Sequence, residues 1–196
     1  MEKVWSIKND IIKETLKDIK PFNKILFKNL NIIFKNSVFL DRDKAENDEN
    51  FKQIIPYVIF KNTNDQILIT KRTKNQSEKR LHEKISAGIG GHINLDDYSE
   101  NPEMTFFNGL NREINEELKI KDLEELKYLG LIYDDSNEVS RVHIGILFTA
   151  QVKNAEIKEV ENFEANWLKK EEIENLKEEN FETWTKISLN QLNINI

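Results

Sequence analysis

Between Gly88 and Ile120 the sequence reads GIGGHINLDDYSENPEMTFFNGLNREINEELKI, a glycine-rich turn that leads into a helix. Asn101 is suited to cap that helix, Pro102 to open it, and Glu103 to lie in its first turn beside the positive end of the dipole. Phe107, Leu110, Ile114 and Leu118 fall on one apolar stripe. Glu113, Glu116 and Glu117 gather on the adjoining stripe at i, i+3 and i+4, where Cβ atoms are ~5–6 Å apart. Like charges at that spacing oppose the helix, and no lysine one turn away from Glu113 offsets them. A divalent cation would remove the repulsion. Oxygen ligands in this number suit Mg²⁺ or Mn²⁺, which keep several waters and take further ligands from substrate phosphates.

The rest of the 196-residue chain predicts a mixed α/β protein. Residues 54–60 and 66–72 read as strands around the hairpin signal Lys61-Asn62-Thr63-Asn64-Asp65. Residues 84–93, 126–133, 142–152 and 163–168 read as further strands, and 170–178 and 181–192 as closing helices. Residues 1–20 have the spacing of an amphipathic helix stopped by Pro21. Residues 41–50 hold no large apolar residue after Leu40 and mark a boundary. The expected organisation is an N-terminal helical extension over 1–50 and a main domain over 51–196.

Composition narrows the chemistry. The absence of cysteine removes disulfides, thiolate metal sites and thiol nucleophiles. A net charge of −6 argues against a nucleic-acid coat or an anionic-membrane binder. The first residues lack a secretory pattern and no stretch is long and apolar enough to span a bilayer, so a cytoplasmic location is expected. His82, His92 and His143 have no paired spacing that marks a metal site, and Ser86 and Ser140 no neighbours that mark a nucleophile.

Arg112-Glu113-Ile114-Asn115-Glu116-Glu117 resembles the heart of the Nudix box, G-x5-E-x7-R-E-U-x-E-E-x-G-U with U aliphatic, and Gly90-Gly91-His92-Ile93 resembles its start. The resemblance covers residues 51–185 and implies an α/β/α sandwich with a mixed sheet. Two features depart from it. The interval from Gly91 to Arg112 is seven residues longer than the pattern, and Lys119 stands where the pattern ends in glycine. Counted back from Arg112, the first glutamate of the box falls at Met104, so Glu103, with Glu100 behind it, is expected to replace it as the partner of Arg112.

The resemblance implies a metal-dependent hydrolase that cleaves the diphosphate linkage of a nucleoside diphosphate derivative. The Gly90 carbonyl, Glu113, Glu116 and Glu117 would hold Mg²⁺ or Mn²⁺. Glu113, or a later glutamate such as Glu164 or Glu161, would orient or deprotonate water, and Arg112 would brace the helix start. A basic stretch from Lys71 to Lys84 contains Arg72 and Arg80, which would meet the substrate diphosphate. Two alternatives stay open: a non-catalytic nucleotide-binding or regulatory module, and a prenyl-diphosphate isomerase, against which the absence of cysteine weighs. A homodimer is compatible with the apolar positions of residues 1–40.

Overall fold

The computed structural model describes residues 2–72, 84–158 and 163–196. Along the chain lie β1 (Lys3–Lys8), α1 (Asn9–Leu16), β2 (Phe22–Asn23), α2 (Leu30–Lys35), β3 (Val38–Asp41), α3 (Arg42–Ala45), β4 (Phe51–Asn62) and β5 (Ile67–Arg72). There follow β6 (Ile85–Ser86), β7 (Gly88–Ile89), α4 (Pro102–Glu117), β8 (Leu118–Ile132), α5 (Glu138–Arg141), β9 (His143–Ile157), β10 (Phe163–Leu168), α6 (Lys170–Glu174) and α7 (Thr183–Gln191). The strands hydrogen-bond in the order β10-β5-β4-β9-β8-β2, with β1 joined to β3 and β4, β6 to β5 and β7 to β4. This is the expected mixed α/β class. No helix among the described residues is long and apolar enough to cross a membrane.

The chain forms two compact units, and β4, α4, β8 and β9 each contribute to both. The first comprises Met1–Tyr57, Gly90–Glu113 and Tyr128–Leu147. Here the expected helix over 1–20 is corrected. Residues 3–8 are a strand, and only the eight residues of α1 are helical. Val4, Trp5, Ser6 and Ile7 are all buried, so both faces of β1 are covered. Ser6 lies opposite Val38 of β3 on one side and Gln53 of β4 on the other, both antiparallel. Valine, tryptophan and isoleucine suit such a strand, and pairing outweighs a helical spacing that α1 continues for only two turns. Lys17, at φ 60°, ends α1 four residues before Pro21.

Aromatic side chains tie α2 to α4 within this unit. Phe34 meets Trp5 at 5.5 Å between ring centroids and Phe106 at 5.2 Å, while Phe27 meets Phe107 at 5.8 Å and Tyr128 at 5.3 Å. Phe106, Leu110 and Ile114 are buried on α4 with Phe107 half-buried beside them, and Leu118, also buried, opens β8. The N-terminal residues thus belong to the same compact unit as the start of α4.

The second unit comprises Val58–Ile89, Ile114–Lys127 and Phe148–Ile196. Its hairpin closes as the sequence leads one to expect. Asn62 Oδ1 accepts from the Asn64 and Gln66 amides, and Asp65 takes φ 57°. The strand expected over 84–93 is instead two short ones. Ala87 separates them, where the Ser86 hydroxyl donates to the Gly88 carbonyl and accepts from its amide. β8 begins eight residues before its expected start. Its first half is mostly exposed, so no alternation marks it, and Asp122, at φ 52°, pairs with Lys153 at 2.9 Å.

Candidate active site

The helix that carries the carboxylates starts where its sequence places it. Asn101 Oδ1 accepts from the Glu103 amide at 3.0 Å, and the Asn101 carbonyl accepts from Thr105 N. Eleven residues into α4, Arg112 projects its guanidinium onto three groups. Nε donates to Asp97 Oδ1 at 2.9 Å and Nη2 to Asp97 Oδ2 at 2.8 Å, a bidentate pair. Nη2 also donates to the His92 carbonyl at 2.7 Å, and Nη1 to Glu113 Oε1 at 2.7 Å. The hydrogen bonds to Asp97, ahead of those to Glu113, raise the Arg112 pKa, so the cation is fixed.

This corrects the expectation for Glu103 and Glu100. The partner of Arg112 is Asp97, 3 % exposed in a 3-10 turn over Leu95–Asp97. Asn94 caps that turn: its Oδ1 accepts from Asp96 N, and its own amide donates to Asp97 Oδ2 at 2.9 Å. Counted forward from Gly91, Asp97 occupies the place of the box's first glutamate, and the seven extra residues fall between it and Arg112. Counting forward would have found it, because the acid lies six residues after Gly91 in a turn capped by Asn94.

Glu113 is seated against the glycine turn. A Cβ on Gly91 would lie 2.2 Å from Glu113 Oε2, so only glycine leaves room for this carboxylate. A Cβ on Gly90 would lie 1.8 Å from the Pro56 carbonyl oxygen, which fixes the turn against β4. Glu113 is 14 % exposed; Glu116 and Glu117 follow on the same helix, the first exposed and the second half-buried.

Two buried constellations went unread in the sequence. His92 Nε2 and His143 Nε2 are 3.2 Å apart, and His143 Nδ1 is 2.6 Å from the Val139 carbonyl. Burial is the main cause that lowers both imidazole pKa values, that of His92 to about 3. The Lys52 side chain is wholly buried. Its Nζ donates to Asp135 Oδ1 at 2.7 Å and to the Ser140 and Arg141 carbonyls at 3.1 and 2.9 Å, and it lies 4.4 Å from the Tyr133 ring centre. Nothing local marks either one, since their partners are 51 and 83 residues away.

Of the remaining candidates, Arg72 ends β5 opposite Phe163, and Glu164 is exposed on β10 opposite Lys71. Arg80, Glu161 and His82 lie outside the described residues. Among the described residues no three carboxylates or imidazoles are drawn together as a formed cation cage. The donor set nevertheless suits a hard divalent ion: carboxylates at i, i+3 and i+4, one of them seated where a Cβ would otherwise stand.

The NUDIX domain profile matches residues 52–188. The chain is 39 % identical to protein YmaB of Bacillus subtilis (strain 168) over 153 residues, which cover 74 % of this chain and 72 % of YmaB. The crystal structure of Tm1382, described as a candidate Nudix hydrolase, superposes with a TM-score of 0.86 at 38 % identity, over 97 % of this chain and 98 % of that one. The NUDIX domain of Shewanella oneidensis NrtR, crystallised with ADP ribose, gives a TM-score of 0.54 at 12 % identity, over 72 % of this chain and 86 % of that one, a likeness of fold alone. The chain belongs to the Nudix family. The family and the Tm1382 structure support a Nudix-type hydrolase acting on diphosphate bonds, and such hydrolases generally use divalent metal ions.

Proposed function

We propose that this protein is a metal-dependent pyrophosphohydrolase that cleaves the diphosphate linkage of a nucleoside diphosphate derivative. The observation that carries this reading is the Asp97–Arg112–Glu113 chain, which holds one carboxylate of the acidic helix against Gly91. Glu113, Glu116, Glu117 and the Gly90 carbonyl are the proposed holders of Mg²⁺ or Mn²⁺. A bound ion of this kind lowers the pKa of attacking water and neutralises charge on the leaving phosphate. Glu113 or Glu164 orients the water and accepts its proton, Arg112 fixes the direction of Glu113, and Arg72 and Arg80 contact the diphosphate. We place the protein in the cytoplasm, as a single chain or a homodimer, with residues 1–50 as an extension of the hydrolase domain.

A box without its first acid would favour the non-catalytic alternative. Asp97 stands in that place and makes the bond to Arg112, which removes the support.

Phosphate and nucleotide release from a panel of nucleoside diphosphate derivatives, with and without Mg²⁺, tests the reading. Glu116→Gln and Glu117→Gln are each expected to lower turnover by ~10²–10⁴-fold with the fold intact. Near-normal Mg²⁺-dependent turnover in both variants would favour the regulatory module.

A further inference from the structure

The His92–His143 contact joins β9 to the glycine turn, and its chemistry admits one arrangement of protons. The Val139 carbonyl can only accept, so at 2.6 Å His143 Nδ1 carries a hydrogen. The His143 ring is buried, and burial disfavours its charged form. A neutral His143 with a protonated Nδ1 has a bare Nε2. The contact of 3.2 Å between the two Nε2 atoms is then a hydrogen bond donated by His92.

The anchor of this bond is itself fixed. Val139, Ser140 and Arg141 present their carbonyls at the end of α5, the first to His143 Nδ1 and the other two to Lys52 Nζ. At the other end, His92 follows Gly91 directly, and its carbonyl accepts from Arg112 Nη2 at 2.7 Å. The next carbonyl, of Ile93, accepts from Trp5 N at 2.8 Å. The turn that seats Glu113 is therefore held through the backbone by Arg112 and Trp5, and through the His92 ring by His143.

We infer that His143 is a positioning residue for the hydrolysis, acting through the ring of His92 on the Gly90–Gly91 turn and on the carbonyl that receives Arg112. The inference rests on the proposed reading of Glu113 as a metal ligand. Groups bonded directly to metal ligands are worth about 10–100-fold in metal affinity or activity when removed. His143 acts on Glu113 only through His92 and Arg112, and is expected toward the lower end of that range. His143→Phe keeps a ring of similar size but cannot accept the hydrogen bond. His143→Gln offers a side-chain oxygen to His92 Nε2.

The test combines spectroscopy with kinetics. Imidazole ¹⁵N–¹H correlation spectra of the intact protein at pH 7 are expected to show His143 protonated on Nδ1 and His92 on Nε2. His143→Phe is expected to lower kcat by about 10–100-fold per folded molecule, with KM changed less than about threefold, and His143→Gln to recover most of the loss. The opposite tautomers, a doubly protonated His143, or a kcat unchanged in His143→Phe would each overturn the inference. If His143→Phe does not fold, the tautomers of the unaltered protein and the kcat of His143→Gln still decide it, and a His143→Gln protein as slow as an unfolded-corrected Glu113→Gln control counts against it. Unimpaired turnover in Glu113→Gln would instead overturn the metal-ligand reading, while the tautomers stand apart from that result.

Discussion

Phe34 of α2 stacks on Phe106 of α4, with ring centroids 5.2 Å apart and planes 19° from parallel. Both rings are almost completely buried. The contact makes the N-terminal segment part of the support for the helix that carries the carboxylates. Phe34→Ala would leave a cavity beneath α4 and is expected to cost about 3–5 kcal/mol. Urea unfolding followed by tryptophan fluorescence measures this, and a loss below about 1 kcal/mol would show that α2 packs too loosely to support α4.

The two glycines of the turn should answer alanine differently. In Gly91→Ala the new Cβ meets the end of a side chain, Glu113 Oε2, which can rotate away. The protein is expected to stay folded and to lose turnover by about 10²-fold, as a displaced catalytic group does. In Gly90→Ala the Cβ meets the Pro56 backbone oxygen at 1.8 Å. That variant is expected to lose stability first. Melting temperature and kcat measured on both variants check the contrast, and it fails if Gly91→Ala is the less stable of the two.

Lys52 and Asp135 form an unequal pair, one wholly buried and the other half-exposed. Lys52→Met strips two backbone carbonyls and a carboxylate of their donor and is expected to cost about 2–4 kcal/mol. Asp135→Asn leaves Lys52 two carbonyl acceptors and an amide oxygen, and should cost about 1 kcal/mol. Chemical denaturation of the two variants gives the ratio, and equal costs would contradict the described geometry.

Acid should weaken the fold through the histidine pair. The His92 pKa falls from an ordinary 6.5 to about 3, by burial first and then by His143, Arg42 and Arg112, and that of His143 falls as well. Below pH 6.5 the unfolded chain takes up protons that the folded chain refuses, so this stability is present above pH 6.5 and is lost as pH falls toward 3. Each refused proton contributes a slope of about 1.4 kcal/mol per pH unit. Unfolding free energies at pH 7.5 and 5 are expected to differ less in His143→Gln than in the parent protein. Identical pH dependence in the two would remove the histidines as the cause.

The sequence by itself determined what depends on neighbours a few residues away. The start of α4 was legible because Asn101 caps its own helix, and the acidic face because residues three and four apart share a side of any helix. The β4–β5 hairpin was legible for the same reason, since Asn62 bonds within its own turn. Glutamate spacing together with a Gly-Gly turn was enough to point to the Nudix family. Tertiary structure alone decided the rest. Residues 3–8 carry a spacing that a helix could use, and they became a strand because β3 and β4 offer hydrogen bonds on both edges. Asp97 took Arg112 because a capped turn presents its carboxylate there, whereas Glu103 is bound by its place in the first turn of α4. Lys52 and Asp135 are 83 residues apart, and no local pattern encodes a pair whose lysine is buried only once the whole unit has folded around it.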